Sequence, residues 1–274
     1  MTGPAEHVRE QRLVFGEVAE TYDKRRSSYP SQIVDGVLAF AGLLQDTTTA
    51  VAEVGAGTGK ASVLFAARGL ALECLEPSPA MAAVARRNLA PYRNAEVREL
   101  SFEDWRPAAQ SFGLVFAAQA WHWVSPEGRY AKVCRALRSG GTFAALWNTM
   151  LGHGDKKLER AIALAYGDLL GGRRGLTKAG RAGGNDWVIS EIEASGLFEP
   201  GSPTVLRKPW HRAFDTDEWI GLLTTQSDHR MLDEKTRAQL FHRIRAAIDA
   251  HGGAFEADYV TVAFLARTSE AAPR

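Results

Sequence analysis

The chain has 274 residues, 45% of them hydrophobic, and a formal net charge of +1 at pH 7. These values suit a globular protein of one large or two small domains, and the near-neutral charge gives no reason to expect binding to nucleic acid or to a membrane surface. No apolar run approaches the ~20 residues that span a bilayer, no signal peptide is visible, and Cys74 and Cys134 make no disulfide framework, so we expect a cytoplasmic protein with reduced cysteines.

Residues 1–40 are predicted to form an N-terminal cap. Apolar residues between Gln11 and Asp23 recur at helical spacing, which favours a short amphipathic helix. A proline at position 30 then interrupts the chain, and Ser31 is placed to cap a helix from Gln32 to Phe40.

The most informative stretch is VAEVGAGTGK, residues 51–60, where a short apolar run ends in three alternating glycines. It is typical of a buried strand that enters a tight turn. Glycine has no Cβ and tolerates positive φ, so the backbone N–H groups of such a turn can approach a ligand closely. Residues 61–68 favour a helix, which Gly69 ends. The order is strand, ligand-binding loop and helix.

Spacing distinguishes two classes of nucleotide loop. The dinucleotide fingerprint GxGxxG is matched at Gly55 and Gly57, but Lys60 occupies its third glycine position. The pattern E-x-G-x-G-x-G, which starts at Glu53, instead resembles motif I of class I S-adenosylmethionine-dependent methyltransferases. The resemblance implies that Glu53 organises the loop and the methionyl ammonium of the cofactor. It also places four loop residues beside the cofactor: Gly55, Ala56, Gly57 and Gly59. The alternative is a turn that is rich in glycine for steric reasons alone.

Residues 70–76 are predicted to be the second strand, with Glu76 at its end. An acid at this position can accept hydrogen bonds from both ribose hydroxyls of a cofactor, in methyltransferases and dinucleotide enzymes alike. Ser78 and Pro79 are the N-cap and first residue of a helix that extends to Leu89. In the resembling family Pro77 and Met81 also lie at the cofactor, Met81 against the ribose and adenine; a filler role in the core is the alternative for Met81.

A third strand is predicted at residues 95–100, followed by SFEDW. In the resembling family this segment contacts the adenine ring. Phe102 would then offer a ring face and Glu103 an acceptor for the exocyclic amine, although a shift of one residue would exchange Glu103 for Asp104.

The nearly continuous apolar run of residues 113–119 indicates a central strand covered on both faces. It leads into AWHWV, and ligands of open α/β sheets bind outside the carboxyl ends of the strands. The resemblance places Gln119 and Ala120 at the cofactor, and Trp121 and Trp123 at the methyl acceptor. His122 is a candidate general base, with a structural role, or methyl transfer by positioning alone, as the alternatives.

The core, residues 41–148, is predicted to end with a helix at 127–137, a turn at Ser139–Gly141 and a fifth strand whose tip, Asn148, faces the acceptor. Residues 149–204 are predicted to form an insertion or lid with helices at 156–169 and 186–194. The last segment, 205–274, contains the remaining predicted elements: strands at 205–210 and 258–266 and helices at 216–223 and 234–251.

The string FGEVAETYDKRRSSYP, residues 15–30, resembles the N-terminal cap of small-molecule methyltransferases. In those enzymes the cap folds over the cofactor. The resemblance implies that Phe15, Tyr22, Arg26 and Tyr29 border the active site, with Tyr22 beside His122 as a candidate catalytic residue and with Arg26 and Tyr29 at the substrate.

The pattern as a whole is most similar to the ubiquinone-biosynthesis-like and trans-aconitate-methyltransferase-like groups. The resemblance implies one α/β domain over residues 1–274, with a Rossmann-like, seven-stranded, mostly parallel sheet, an antiparallel last strand and helices on both faces. It implies methyl transfer from S-adenosylmethionine to a small organic molecule, with S-adenosylhomocysteine as product and without metal, nucleic acid or membrane. The alternatives are a protein that binds S-adenosylmethionine without methylating and, as a weaker one, an NAD-dependent oxidoreductase.

Overall fold

The computed structural model describes residues 19–170 and 184–269. Its strands are β1 Ala50–Val54, β2 Ala71–Leu75, β3 Ala95–Arg98, β4 Phe112–Ala118, β5 Leu137–Gly152, β6 Thr204–Asp215 and β7 Ala254–Arg267. Its α-helices are α1 Ala19–Arg25, α2 Ser31–Ala41, α3 Ser62–Ala66, α4 Pro79–Leu89, α5 Arg129–Ala136, α6 Lys156–Leu170, α7 Trp187–Ser195, α8 Thr216–Thr224, α9 Ser227–Arg230 and α10 Glu234–Asp249. A single turn of 3₁₀ helix covers Trp121–Trp123.

The strands form one seven-stranded sheet in the order β3-β2-β1-β4-β5-β7-β6. β1 to β5 are parallel, with Glu53 opposite Cys74 on one side and Phe116 on the other. β7 runs against β5, because Thr268 donates to the carbonyl of Gly141 whereas Thr261 donates to Asn148, further along β5. The predicted fold class is confirmed. Because parallel strands end at the same edge, the segments that follow β1, β2 and β4 are neighbours.

Local sequence accounts for the helix starts near the site. Ser78 caps α4 by accepting a hydrogen bond from the N–H of Met81, and Pro79 is the first helical residue, as predicted. α8 begins with a capping box in which Asp215 and Glu218 bond reciprocally to backbone N–H groups. These caps place the ends of the loops that precede the helices.

The three longest strands exceed their predicted lengths. The turn predicted at Ser139–Gly141 lies inside β5, where Phe112 and Leu114 of β4 pair with Leu137 and Thr142. Three extra residues of β5 therefore bulge out between those pairs, and the strand continues beyond them. Both cysteines are free thiols, as predicted, and burial raises the pKa of each.

The described chain divides into two compact units. The first, here called the loop unit, contains residues 28–148, 184–208 and 261–269, and its core includes Phe65 stacked on Phe116 at 4.0 Å between ring centroids. The second, the helical unit, contains residues 19–27, 149–170 and 209–260, and its core is centred on residues such as Phe214, Trp219 and Leu240. Each unit is assembled from three separate stretches of chain. The organisation as a single domain stays a prediction.

The predicted segment boundaries do not follow these units. α6 lies in the helical unit and α7 in the loop unit, although both belong to the predicted insertion at 149–204. The Gly- and Arg-rich stretch between these helices, and Phe15 of the predicted cap, lie outside the described residues. Within the described ranges no helix has both the length and the apolar content that crossing a membrane requires.

Candidate functional site

The glycine loop after β1 has the backbone that its sequence predicts. Gly55, Gly57 and Gly59 all have positive φ, at 68°, 60° and 84°. A Cβ on Gly55 would lie 2.6 Å from the Cβ of Ala120, so packing against the end of β4 requires glycine there. A Cβ on Gly57 would meet no atom within 4 Å. The side of Gly57 where a side chain would lie therefore faces open space, as in a loop that lets a ligand approach.

Glu76 connects the loop after β1 to the loop after β2. Its buried carboxylate accepts hydrogen bonds from the N–H of Gly57 and the N–H of Ser78, both at 2.8 Å. A charged acceptor of this kind holds a backbone loop more strongly than a neutral one. The structure thus gives Glu76 a loop-holding role that the sequence did not predict, and ribose binding stays a prediction for the same carboxylate.

Glu53 lies beneath the loop with 1% of its surface exposed. Ser62, at the start of α3, donates a hydrogen bond to its carboxylate. Burial raises the pKa of Glu53 to about 8, the hydrogen bond from Ser62 opposes the shift, and the charge of Glu76 adds to it. Glu53 therefore supports the loop from inside the protein. Sequence analysis missed Ser62, because a serine in a helical pattern gives no sign of a buried carboxylate partner.

The residues predicted for the adenine side are mostly buried. Met81 and Phe102 are 3% and 5% exposed. Glu103 accepts a hydrogen bond from the N–H of Ser125 at 3.0 Å, whereas exposed Asp104 bonds within its own turn to Ser101. Glu103, and not its neighbour, is thus connected to the segment that follows the 3₁₀ turn. Pro77, beside Glu76, is exposed.

The end of β4 has an unusual backbone. Gln119 has φ of 60°, in the left-handed region that costs a non-glycine residue about 1 kcal/mol or more. Its N–H donates to the carbonyl of Leu146 at 2.8 Å, and its side-chain amide donates to the carbonyl of Asn148 at 3.1 Å. These bonds to β5 hold the strained residue and direct the chain into Ala120 and the 3₁₀ turn.

The three aromatic residues of that turn differ in their surroundings. Trp121 has no exposed surface, and its indole N–H donates to the hydroxyl of Tyr130 at 3.2 Å. Its predicted contact with the acceptor is therefore corrected, since it is a core residue that supports the turn from behind. His122 is exposed and Trp123 half-buried, with 4.8 Å between the centroids of their rings.

His122 has a specific partner on β5. The indole Nε1 of Trp147 donates a hydrogen bond to Nδ1 of His122 at 3.3 Å. The protein packed around the imidazole desolvates it and lowers its pKa below the ordinary value. Because the ring keeps exposed surface, this desolvation is partial, but its direction leaves the imidazole neutral at pH 7.

Arg129 holds the 3₁₀ turn in place. This side chain is 5% exposed, and its Nη1 donates to the carbonyls of Trp121 and Val124, on either side of His122 and Trp123. Its Nη2 is paired with the carboxylate of Glu191 on α7. Sequence analysis missed this arginine because it reads as one more cation on a polar helix.

Asn148 and Tyr29 lie in the loop unit. The amide nitrogen of Asn148 donates to the carbonyl of Ser28 at 3.0 Å, and its amide oxygen accepts from Thr261 at 2.6 Å. Each end of this amide thus binds a protein group, and its predicted place at the acceptor stays a prediction. Tyr29 is half-buried and packs against the core of the loop unit.

Tyr22 and Arg26 lie in the helical unit. The guanidinium of Arg26 donates to the hydroxyl and the carbonyl of Thr225, at 3.0 and 3.1 Å. It also lies 5.1 Å from the centroid of the Tyr22 ring, which suits a cation–π contact. The roles predicted for these two residues at the substrate stay predictions.

One cluster in the helical unit has the composition of a metal site. The ligand atoms of His211, Glu256 and Asp258 lie within 4.8 Å of one another, and His211 Nδ1 is 2.7 Å from a carboxylate oxygen of Asp258. All three residues are on β6 and β7 and at least partly exposed. The hydrogen bond joins His211 to Asp258, and the absence of a metal site stays a prediction.

Comparisons with known proteins agree with the geometry of the loop. A family model described as a methyltransferase domain matches residues 51–141. The uncharacterized methyltransferase Rv3342 of Mycobacterium tuberculosis is 35% identical over 145 residues, 52% of this chain and 54% of the relative. CRG1 of Saccharomyces cerevisiae, named as a probable S-adenosylmethionine-dependent methyltransferase, is 31% identical over 131 residues, 45% of this chain and 43% of the relative. The chain thus spans about half the length of these relatives.

Solved structures share the fold over most of the chain. A proposed type II methyltransferase from Anaeromyxobacter dehalogenans has a TM-score of 0.60 at 20% identity, over 88% of this chain and 97% of that one. A proposed methyltransferase from Bacillus halodurans has a TM-score of 0.52 at 15% identity, over 86% and 99%. At these identities the likeness is one of fold alone.

Proposed function

We propose, from the premise that this chain carries a class I S-adenosylmethionine-dependent methyltransferase domain, that the protein transfers the methyl group of S-adenosylmethionine to a small organic acceptor and releases S-adenosylhomocysteine. The cytoplasmic location and the small size of the acceptor are part of this proposal. The acceptor atom, whether O, N, C or S, is left open.

The observation that carries the proposal is the open space in front of Gly57 together with the carboxylate of Glu76. The peptide of Gly57 is held by Glu76, and a Cβ there would extend into that space. The hydroxyl of Thr58 is buried without a hydrogen-bond partner among the described residues, so the loop also has a polar group that could bond to a ligand. These features fit a cofactor that approaches the backbone closely.

The proposed cofactor site consists of the three loops at the carboxyl ends of β1, β2 and β4 and the segment after β3. Its residues are Glu53, Gly55, Ala56, Gly57, Gly59, Glu76, Pro77, Met81, Phe102, Glu103, Gln119 and Ala120. Glu53 acts from beneath the loop, Gly55 by its packing on Ala120, and Glu76 by fixing Gly57 and offering its carboxylate to the ribose.

When bound, the cofactor supplies a methyl group made electrophilic by its positive sulfonium. The task that remains for the protein is to hold an acceptor atom in line with that group and to exclude water. Exposed His122 and half-buried Trp123 come two and three positions after Ala120, so they are placed to contact an acceptor. Aromatic side chains here also suit a nearby cationic centre.

The first experiment is calorimetric titration of the purified protein with S-adenosylhomocysteine, with NAD as the paired ligand. Binding of S-adenosylhomocysteine in the micromolar range and none of NAD is expected. Gly57→Trp should abolish binding by filling the space in front of the loop. Gly201→Trp is the matched control, since Gly201 also has positive φ and open space around its Cβ position. Unchanged affinity in Gly57→Trp would rule out the loop as the cofactor site.

Binding without methylation is the second candidate function, because a cofactor site alone does not establish the reaction. Product analysis separates the two. Incubation with S-adenosylmethionine and a panel of small acceptors should release S-adenosylhomocysteine in an acceptor-dependent manner if the protein is an enzyme.

A further inference from the structure

The hydrogen bond between Trp147 and His122 has only one possible direction. An indole nitrogen carries a proton and has no lone pair available, so it always donates. Nδ1 of His122, which lies 3.3 Å from the indole Nε1, must therefore offer a lone pair. A neutral imidazole has one nitrogen with a lone pair and one with a proton. The proton of His122 is consequently on Nε2.

Trp147 is itself held firmly. It is 5% exposed, and its ring packs edge-to-face against Trp187 and Phe264, with 6.1 and 5.8 Å between ring centroids. The residue is on β5 and is followed by Asn148, whose amide bonds to two further elements of the loop unit. The donor therefore cannot follow His122 if the imidazole turns.

The backbone of His122 is fixed from two other directions. Arg129 binds the carbonyls of Trp121 and Val124, on both sides of the residue. Ala120, two positions earlier, packs against Gly55 of the glycine loop. Within the described part of the chain no hydrogen bond is made by Nε2, the one nitrogen of the ring left to meet a ligand.

We infer that Trp147 is a positioning residue that fixes His122 in the neutral tautomer with its proton on Nε2, so that His122 offers the methyl acceptor a hydrogen-bond donor and no base. The inference rests on the proposed function for its consequence, but its structural part concerns the free protein. The lowered pKa of His122 agrees with the neutral form.

This assignment limits the chemistry of the acceptor. In methyl transfer the bond between carbon and sulfur breaks with its electron pair going to sulfur, while the lone pair of the acceptor atom forms the new bond to carbon. His122 cannot remove a proton from that atom in this tautomer. The acceptor is then a molecule whose attacking atom is unprotonated at the working pH or loses its proton to water, and which has an oxygen or nitrogen lone pair that accepts the Nε2–H bond.

The tautomer is tested directly by ¹⁵N NMR of the histidine rings in the free protein at pH 7. His122, assigned by comparison with His122→Gln, should show an unprotonated Nδ1 and a protonated Nε2. Trp147→Phe keeps a ring in the core but removes the indole donor. In this variant the ¹⁵N shifts of Nδ1 and Nε2 of His122 should move toward each other, because the tautomer with its proton on Nδ1 becomes populated. Trp123→Phe, which alters the other indole beside the ring, should leave the shifts in place. A proton on Nδ1 in the wild type, or unchanged shifts in Trp147→Phe, would overturn the inference.

Kinetics distinguish a donor from a base at the same position. The amide nitrogen of Gln reaches the place of Nε2 and donates, but an amide cannot take up a proton. We expect His122→Ala to lower kcat about tenfold, the worth of one hydrogen bond, and His122→Gln to stay within about threefold of the wild type. Equal loss in both variants would show that His122 acts as a base.

Failure of the two proposals can be told apart. Absence of S-adenosylhomocysteine binding would reject the cofactor assignment while leaving the NMR result meaningful. Binding and turnover together with the wrong tautomer would reject only the role of Trp147.

Discussion

Gly55 and Ala120 are in such close contact that the loop after β1 and the turn after β4 cannot be moved independently. A Cβ added to Gly55 would come within 2.6 Å of the Cβ of Ala120. Both residues follow the carboxyl ends of adjacent parallel strands. The proposed cofactor loop and the turn that carries His122 are therefore one rigid feature of the loop unit.

Alanine at Gly55 and at Gly57 should have different effects. Both glycines have positive φ, which costs alanine about 1–2 kcal/mol. Gly55→Ala adds a steric clash and should destabilise the protein by a few kcal/mol in total. In Gly57→Ala the new methyl group meets no atom, so the loss of stability should be only the cost of positive φ. The methyl group would extend into the space proposed for the cofactor and should weaken binding of S-adenosylhomocysteine. Urea unfolding and calorimetric titration of both variants check this, and an equal loss of stability would contradict it.

Glu53 should make the protein less stable as the pH rises. Its pKa in the folded protein, about 8, is above the unfolded value of about 4.5. The protonated carboxyl therefore favours the folded state fully below pH 4.5, and that contribution is lost as the pH rises through 8. Glu53→Gln cannot ionise, so its unfolding free energy relative to the wild type should be a few kcal/mol higher at pH 8 than at pH 5. If the two proteins differed in unfolding free energy by the same amount at both pH values, the raised pKa of Glu53 would be refuted.

Buried His229 should make the protein less stable as the pH falls, which is the opposite of the effect of Glu53. Burial and the charge of Arg26 lower the pKa of His229 to about 4, whereas an unfolded histidine has its pKa near 6.5. Its neutral form supports the fold above pH 6.5, and on the order of 3 kcal/mol should be lost as the pH falls to 4.

His229→Gln tests this, because glutamine does not ionise and can bond to Tyr166, the partner of His229 at 2.8 Å. Unfolding measured from pH 7 to pH 4 should be less pH-dependent in this variant than in the wild type. The exposed His242→Gln controls for the substitution itself. If unfolding of His229→Gln depended on pH as strongly as that of the wild type, another group would be the cause of the stability lost in acid.

The pair of Arg129 and Glu191 should be asymmetric in its energetics. Arg129 donates to two backbone carbonyls as well as to Glu191, whereas Gln at position 191 would keep an amide oxygen that accepts from the guanidinium. Arg129→Met removes all of these bonds and leaves buried carbonyls unsatisfied, so it should cost about 3–5 kcal/mol, whereas Glu191→Gln weakens one bond and should cost about 1 kcal/mol. Chemical denaturation of the two variants measures this, and the reverse order would show that the arginine is not what holds the turn.

Sequence reasoning succeeded where the information is local. The apolar run into Gly55, Gly57 and Gly59 fixes the strand and the loop, and Ser78 with Pro79 fixes the start of α4. The resemblance to methyltransferases, and the fold class that it implies, rest on such elements because strand, turn and cap each depend on a few consecutive residues.

The contacts that organise the site were not predictable in this way. His122 and Trp147 are 25 residues apart and Arg129 and Glu191 are 62 apart, and no periodic pattern joins them. The letters WHW likewise do not reveal that Trp121 faces the core, because a single 3₁₀ turn is too short to show a period. Specific pairing between distant side chains is set by the assembled sheet.

The order of strands in the sheet has a consequence for biosynthesis. β7 follows β5 and β6 along the chain, yet it lies between these two strands in the sheet. While the ribosome is still making residues 254–267, the long strands β5 and β6 have already emerged and lack the partner that pairs with both of them. Two unpaired strand edges are then exposed to other nascent chains. This sheet is completed only after translation of β7, so chaperone demand and the risk of aggregation should peak while β7 is still being made.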